Sequence, residues 1–531
     1  MIETAIVGGG VCGLELAARL HALGAGFTVF EARDRIGGRV LTKTGNKGGG
    51  LDLGPTWFWP DTEPRIARRL DELGLASFPQ NDTGAVMRLE DPNKPAEPAP
   101  ELQGVHGGAH RIAGGSVKLV EALAAQLPAG SIEFGTQVLS IVDRGHHVEI
   151  GLRRGGIETT IEARRVVIAL PPRLVAQDIS FDPPLSGALA NSLASTRTWM
   201  ADQAKALVEY PSAFWRAAGQ SGNAFVSHAQ VMLHEIFDAC DADASTAALG
   251  GFVALPPEVR AKIRGALPLL VSSQMVQVFG VAADSSDISY QDWSTERFTA
   301  SEADKASFND GPPVYGDALL RRAWWDGRLH FGGTETASYG AGHMEGALES
   351  AARILRALSP ASRPASSTTG ASAMTTEERP AAFTEFAAWV TIQRANAPER
   401  YKRLLTQLLS TQQGEQLTQR AVLGAVEQLY SEALARLQDT DLGNVTGLVV
   451  QGRSSLTPLA LGAFAGFSKA MLDSAIAHNR TSCAISNFPD EAKPQADYID
   501  VIVRDLAAAW REFAMSVNDL LLSKTGARET T

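Results

Sequence analysis

The chain has 531 residues, 44% of them hydrophobic and 20% charged, and carries a formal net charge of −11 at pH 7. Its length exceeds what one hydrophobic core supports, so two or three domains are expected, and its ordinary composition leaves little of it to disorder. The acidic balance argues against a nucleic-acid-binding surface, and three dispersed cysteines (Cys12, Cys240, Cys483) with no histidine cluster beside them argue against a disulfide framework or a metal site.

Met1, Ile2 and Glu3 run directly into an apolar strand, with no basic start and no small-residue cleavage site, so a cytoplasmic protein is expected. Residues 2–7 read as a strand, Gly8-Gly9-Gly10-Val11-Cys12-Gly13 as a turn, the stretch to Leu23 as a helix, and Phe27 to Phe30 as a second strand ending at Glu31. This is a βαβ dinucleotide-binding pattern. Gly8 permits the tight turn, Gly10 lets the backbone approach a pyrophosphate, and Gly13 allows helix to pack closely on strand. The helix N-terminus offers free N–H groups and a positive dipole end to phosphates. Cys12 is a small residue inside this cofactor-contacting turn, and Glu31 is placed to accept hydrogen bonds from ribose hydroxyls.

The next residues, Glu31-Ala32-Arg33-Asp34-Arg35-Ile36-Gly37-Gly38-Arg39-Val40, resemble the second fingerprint of the FAD-dependent amine oxidase family. There a Gly-Gly-Arg turn follows the flavin's phosphates, which makes Ala32, Arg33, Gly38 and Arg39 cofactor contacts by resemblance. Further segments match that family in order. Leu51 to Trp57 resembles the loop beside the flavin ring, giving Gly54, Pro55, Thr56 and Trp57. Ala113 to Ser116 resembles the return to the FAD domain, Val138 a strand residue contacting the adenine end through backbone, and Val166 to Pro172 the strand that leaves again. Leu329 to Thr336 and Gly342 to Ala347 resemble the C-terminal FAD motif, giving Gly333, Glu335, His343 and Met344. The implied fold is α/β: a Rossmann-like FAD domain at about 1–56, 114–175 and 320–357, with an inserted mixed-sheet substrate domain at about 57–113 and 176–319.

Lys205, ahead of Phe214-Trp215-Arg216, sits where the family carries a lysine that holds a water at flavin N5; otherwise it is a lysine snorkelling from a strand edge. Three departures qualify the resemblance. The cysteine that anchors flavin in some members is replaced by Ser301-Glu302-Ala303-Asp304, so FAD is expected to be non-covalent. Of the two aromatic walls around the substrate amine, one falls near Ala303 and the other is His343, which either serves as acid/base group or fills space. The interval from Gly54 to Gly114 is short and includes a Pro- and Gly-rich stretch, Asp91 to His110, so the pocket roof is smaller, more open or supplied from elsewhere. Thr56-Trp57-Phe58-Trp59 stands where amino-acid oxidases commonly carry a carboxylate-clamping arginine, which favours an apolar or aromatic amine unless Arg65 or another arginine reaches in. The implied reaction is hydride transfer from a small-molecule amine to flavin, imine hydrolysis, and reoxidation by O2 to hydrogen peroxide. The alternatives are oxidation of an amino acid or a carbon–carbon bond, or a flavoprotein whose helical domain is an interaction module.

Residues 358–380 are rich in Ser, Thr, Ala and Pro and read as a linker. From 381 to 525 apolar residues recur at spacings of three and four, as in Val422, Val426, Leu429, Tyr430, Leu434 and Leu437, and again from Tyr498 to Leu521. A helical domain of four to six helices is expected, resembling nothing recognised and offering a surface for self-association. The apolar run Leu456 to Ser468 contains Gly462 and Gly466 at the GxxxG spacing but is broken by Pro458 and too short to span a bilayer, so it reads as a buried helix and no membrane partner is expected.

Overall fold

The computed structural model describes residues 1–358 apart from 103, 286, 308–314 and 316, and residues 378–525 apart from 411–415, 441–448, 451–452, 455, 483–484, 486–490 and 492–493. The chain divides into two compact units, Met1–Leu358 and Ser359–Thr531.

In the first unit the strand Ile2–Val7 is flanked on both sides by parallel partners, Phe27–Phe30 and the end of the long strand Ile157–Ile168. A central parallel strand is covered on both faces, which is why Ala5, Ile6 and Val7 are all apolar and buried. Its eight-stranded sheet runs Ser180–Asp182, Thr136–Asp143, Val148–Arg154, Ile157–Ile168, Ile2–Val7, Phe27–Phe30, Ile132–Glu133, with Leu329–Phe331 pairing Ile157–Ile168. One face is covered by the helices Val11–Ala22, Val117–Ala125 and Met344–Leu358, whose apolar stripes share one core. The hairpin before the long strand turns on Gly155 and Gly156, both at positive φ, as a two-residue loop with matching twist requires.

A second, seven-stranded sheet runs Ile288–Asp292, Ala204–Tyr210, Ala247–Val253, Leu233–Asp238, Gln220–Val226, Ala85–Leu89, Glu97–Pro98. The helix Leu267–Phe279 packs on it. Leu207, Phe237 and Ala248 pack on Leu51 and Leu53, at the hairpin of strands Thr42–Thr44 and Gly50–Asp52 and the loop after it, so that hairpin and the second sheet share an apolar seam.

The boundaries differ from the expected ones in two places. Ser180–Asp182 adds a parallel strand to the first sheet, and Leu189 and Leu193 of the helix Gly187–Ser195 pack on that sheet, so the FAD domain continues past residue 175. The helix Pro64–Glu72 buries Ile66 and Leu70, one turn apart, in the core formed by Val11–Ala22. Both helices bury their apolar stripe on the nearest apolar face, and that face belongs to the first sheet.

The second unit is built on the helices Glu378–Ser410, Leu417–Asp439, Thr457–Gly462, Phe467–Thr481 and Ala496–Thr525. The first begins inside the stretch read as linker; residues 359–377 lie outside the described residues. Tyr430 stacks on Phe513 with ring centroids 4.3 Å apart, and the two sequence-periodic faces meet around them. The run Leu456 to Ser468 forms two helices separated by a turn at 463–466, rather than one. Thr457–Arg480 reaches the length and mean hydropathy of a bilayer crossing by composition alone, yet Ala460, Phe464, Phe467, Met471 and Ala475 are buried in this unit's core.

One buried polar network pins that core. The Tyr401 hydroxyl donates to Asn479 Oδ1, and Asn479 Nδ2 donates to Thr418 Oγ1 and the Glu491 carbonyl. The Glu491 carboxylate in turn accepts from the backbone of Leu417 and Thr418, capping a helix from a distance. Asn479→Ala leaves three buried groups unmatched and is expected to lower stability by about 2–4 kcal/mol, read from the urea denaturation midpoint of this unit.

Candidate functional site

The nucleotide end is built as the sequence implies. Gly8 sits at φ +107°, and a Cβ on Gly13 would lie 2.0 Å from the Gly8 carbonyl oxygen, whereas a Cβ on Gly10 would meet nothing within 4 Å. Helix and strand are therefore in contact at Gly13, and the space in front of the helix N-terminus at Gly10 is open, as a pyrophosphate needs. Glu31 is buried and accepts from the Gly9 and Arg33 backbone N–H groups at 2.8 and 2.9 Å, which fixes its carboxylate at the end of its strand. Val138 lies in the neighbouring strand, whose first residue, Thr136, donates its N–H to the Glu31 carbonyl. This arrangement fits an FAD adenosine and pyrophosphate.

Several expected contacts have other partners. The Arg33 guanidinium turns to Glu296 and Thr299 Oγ1 and lies over Phe298, with Nη1 also 4.0 Å from Glu31 Oε1. Cys12 accepts a hydrogen bond from the Gly333 N–H, and burial pushes its thiol up to about 11; it is a packing residue beneath the turn. Met344 is buried among the helices of the first core. Arg39 and Glu335, expected as two separate cofactor contacts, are one bidentate pair at 2.6 and 3.0 Å, and both also bind the Trp199 backbone. The arginine thus reaches any phosphate as half of a neutral pair.

Lys205 lies in a strand buried along its whole length. Its Nζ donates to the Asp52 carbonyl at 3.3 Å, the Gly54 carbonyl at 2.6 Å and Thr56 Oγ1 at 2.6 Å. The loop can present those oxygens because Gly54 lacks a side chain: a Cβ there would lie 2.1 Å from the Arg39 carbonyl oxygen. Phe237 and Phe252 flank the ammonium at 5.5 and 5.2 Å. Burial pulls Lys205 down to about 7, with Asp52 opposing and Arg111 assisting. Among the described residues no carboxylate forms an ion pair with it, so this is no snorkelling surface lysine.

His343 stacks on Trp59 with centroids 5.9 Å apart, leans toward Trp199, and shares Nδ1 with Glu63 Oε1. Burial lowers its pKa, but the Glu63 carboxylate outweighs that and raises it overall. Glu63 is itself fixed by the Trp59 N–H. Next to it Glu345 accepts from the backbone of Arg65 and Ile66 through one oxygen, while the other is buried without a hydrogen-bond partner. Arg65 lies against Glu345 at 3.8 Å, not toward the Trp57 loop, and Ala303 sits in a short capped helix.

Sequence reasoning missed Asp82, His106 and Glu235. His106 Nδ1 pairs with Asp82 Oδ1 at 2.9 Å, and its ring packs 4.6 Å from Trp57, with Glu235 3.7 Å from Nε2. Burial opposes protonation of His106, but the two carboxylates raise it to about 9. The only signal in the chain was a histidine in the Pro- and Gly-rich stretch Asp91 to His110, with no periodicity to place it against either acid.

Glu345 is pushed up to about 8, first by burial and then by Glu63. An acid whose folded pKa is raised contributes stability fully below its unfolded value and loses it as pH rises through the folded one. Thermal unfolding between pH 6 and 9.5 is therefore expected to show stability falling from pH 6 and levelling off above about pH 8, a slope that Glu345→Gln abolishes, since glutamine mimics the protonated form.

The family pattern for flavin containing amine oxidoreductase matches residues 99–356, and that for an NAD(P)-binding Rossmann-like domain matches residues 6–73. Flavin-containing amine oxidase B of Sus scrofa is 23% identical over 459 residues, covering 67% of this chain and 85% of the relative. The probable flavin-containing monoamine oxidase A of Dictyostelium discoideum is 24% identical over 463 residues, covering 67% and 96%. Among solved structures, wild-type putrescine oxidase bound to putrescine (TM-score 0.52, 20% identity) and the cyclohexylamine oxidase of Brevibacterium oxydans IH-35A (TM-score 0.53, 21% identity) each cover 67% of this chain and 98% of their own.

Proposed function

We propose that this FAD-dependent, amine-oxidase-like oxidoreductase oxidises the C–N bond of an apolar or aromatic amine and returns its electrons to O2 as hydrogen peroxide. The observation that carries the reading is the desolvated Lys205 ammonium, tied to the Asp52–Thr56 loop by carbonyls and a hydroxyl instead of a carboxylate.

FAD, when bound, accepts the hydride and passes the electrons on. The chain's own residues do the rest. His343 keeps one ring nitrogen on Glu63, which leaves Nε2 to take the proton from the incoming ammonium; only the neutral amine can release hydride. Trp59 and Trp199 confine the apolar part of the substrate around that imidazole. Lys205 holds positive charge beside the loop and stabilises negative charge arriving there. Water then hydrolyses the imine. An α-amino acid is the weaker alternative, because the wall behind Trp57 carries Asp82 and Glu235, which repel a carboxylate.

Two measurements test this. Anaerobic addition of monoamines with apolar tails is expected to bleach the flavin, with about one peroxide per amine when air returns; a flavin that every amine leaves oxidised overturns the proposal. Lys205→Met is expected to slow reoxidation by about 10²-fold while leaving amine-driven bleaching nearly intact.

The proton role predicts a pH limb. Since Glu63 raises the His343 pKa, kcat/KM is expected to climb with pH through that value. Glu63→Gln is expected to move the limb to lower pH, and His343→Phe to remove it with a loss of roughly 10²-fold. A limb unmoved by Glu63→Gln would assign the proton elsewhere.

A further inference from the structure

We propose that the first unit carries a second ligand site, a cavity of about 210 Å³ that binds a small oxyanion, carboxylate or phosphate, on the guanidinium of Arg111. Arg111 belongs to the strand His110–Ile112 and is only 3% exposed. Its Nη1 donates to the Cys240 carbonyl, while Nε is buried with no hydrogen-bond partner. Among the described residues no carboxylate pairs with it. A buried, unpaired guanidinium is costly, and a chain that keeps one gains where something outside the chain neutralises it.

None of the neighbouring carboxylates forms an ion pair with Arg111. Asp52 accepts from Thr42 and from both the backbone and hydroxyl of Ser116 through Oδ1, while its Oδ2 is buried with no hydrogen-bond partner. Asp238 is forked by Arg216 and also holds the Trp215 indole and the Cys240 N–H. Asp241 accepts from the Thr246 N–H and the Ser245 hydroxyl. Arg216 spends Nε and Nη2 on Asp238, and its Nη1 makes no hydrogen bond, so a second cationic donor faces the same cavity. The walls also include Phe78, over which Arg111 lies at 5.6 Å, and the exposed Pro79 and Thr83 mark the mouth.

These features select the ligand class. Guanidinium edges match planar carboxylates and tetrahedral phosphates, and the volume is below that of a cofactor or drug-sized pocket, roughly 300–1,000 Å³. Asp238 and Asp241 on the walls disfavour a polyanion. The site connects to the Trp57 loop through one side chain: Gln80 lines the cavity, accepts from Trp57 Nε1 at 2.9 Å and donates to the Asp238 carbonyl at 2.8 Å.

The test is calorimetric titration of the flavin-loaded full chain with sodium acetate and, separately, inorganic phosphate at constant chloride. At least one probe is expected to bind saturably with one site per chain; which one tells a carboxylate ligand from a phosphorylated one. Arg111→Met is expected to weaken that binding at least tenfold while keeping or raising the melting temperature, because it deletes an unpaired charge. Thr83→Glu, an exposed change at the mouth, is expected to weaken it severalfold with the fold intact. The proposal is overturned if neither probe binds saturably at millimolar concentration, if both variants bind like the parent, or if Arg111→Met unfolds the chain while Thr83→Glu binds normally.

Discussion

The Arg39–Glu335 pair is the constraint on which the rest of the first unit depends. It joins the loop after the second strand to the C-terminal motif, 296 residues away, and both partners hold the backbone of Trp199 on the way into the second sheet. Glu335 is fully buried, so the pair pays a large desolvation cost that only its bidentate geometry and the Trp199 contacts offset. A pair of this kind adds little net stability, but removing one partner leaves a buried charge, worth about 3–5 kcal/mol. Its value is therefore in registering three segments: with them fixed, His343 and Trp199 come within ring contact, and the Gly54 loop is pressed against Arg39.

The second sheet meets the hairpin of strands Thr42–Thr44 and Gly50–Asp52 along an apolar seam of Leu51, Leu53, Leu207, Phe237 and Ala248, and Lys205 sits two residues before Leu207 on the same strand face. The lysine is carried into the seam by packing, and its ammonium finds only the oxygens that the loop supplies. A one-residue slip of that strand would put Ala206 in the seam and turn the lysine into the apolar core on the other face, so register and chemistry are specified together.

Much of this was legible in the sequence. The glycines of the first turn, the acidic strand end and the Gly54 loop declare themselves because backbone sterics allow few other residues there. The helical unit declares itself through periodicity at Val422 to Leu437. What could not be read is what depends on tertiary pairing: that Arg33 would spend itself on Glu296, that Arg39 would meet Glu335, and that Glu63 would raise His343. Charged side chains carry no periodic signature of their partner, and Asp82 and His106, both in loops, reach Glu235 of the strand Leu233–Asp238 only through tertiary packing. The domain boundary moved for a related reason, since Leu189 and Leu193 pack by proximity of an apolar face and not by position in the chain.

Two titrating groups of the site are pushed toward each other by opposite means. Burial lowers Lys205 from the usual ammonium range to about 7, while the Glu63 carboxylate raises His343 from the usual imidazole range. The two environments thus shift an ammonium downward and an imidazole upward, opposite shifts by which one site can hold an acid and a base. The lysine's partners explain why it was left at that point. A carboxylate partner would have fixed its charge permanently and cancelled its field, whereas carbonyls and a hydroxyl hold the ammonium in place without neutralising it. The positive charge is thus oriented before the reaction and uncompensated until negative charge forms beside it, which is how a protein stabilises a charge that appears only during turnover. The desolvation cost is borne in the resting fold, by the apolar seam and the Arg39–Glu335 frame that keep the lysine where it is.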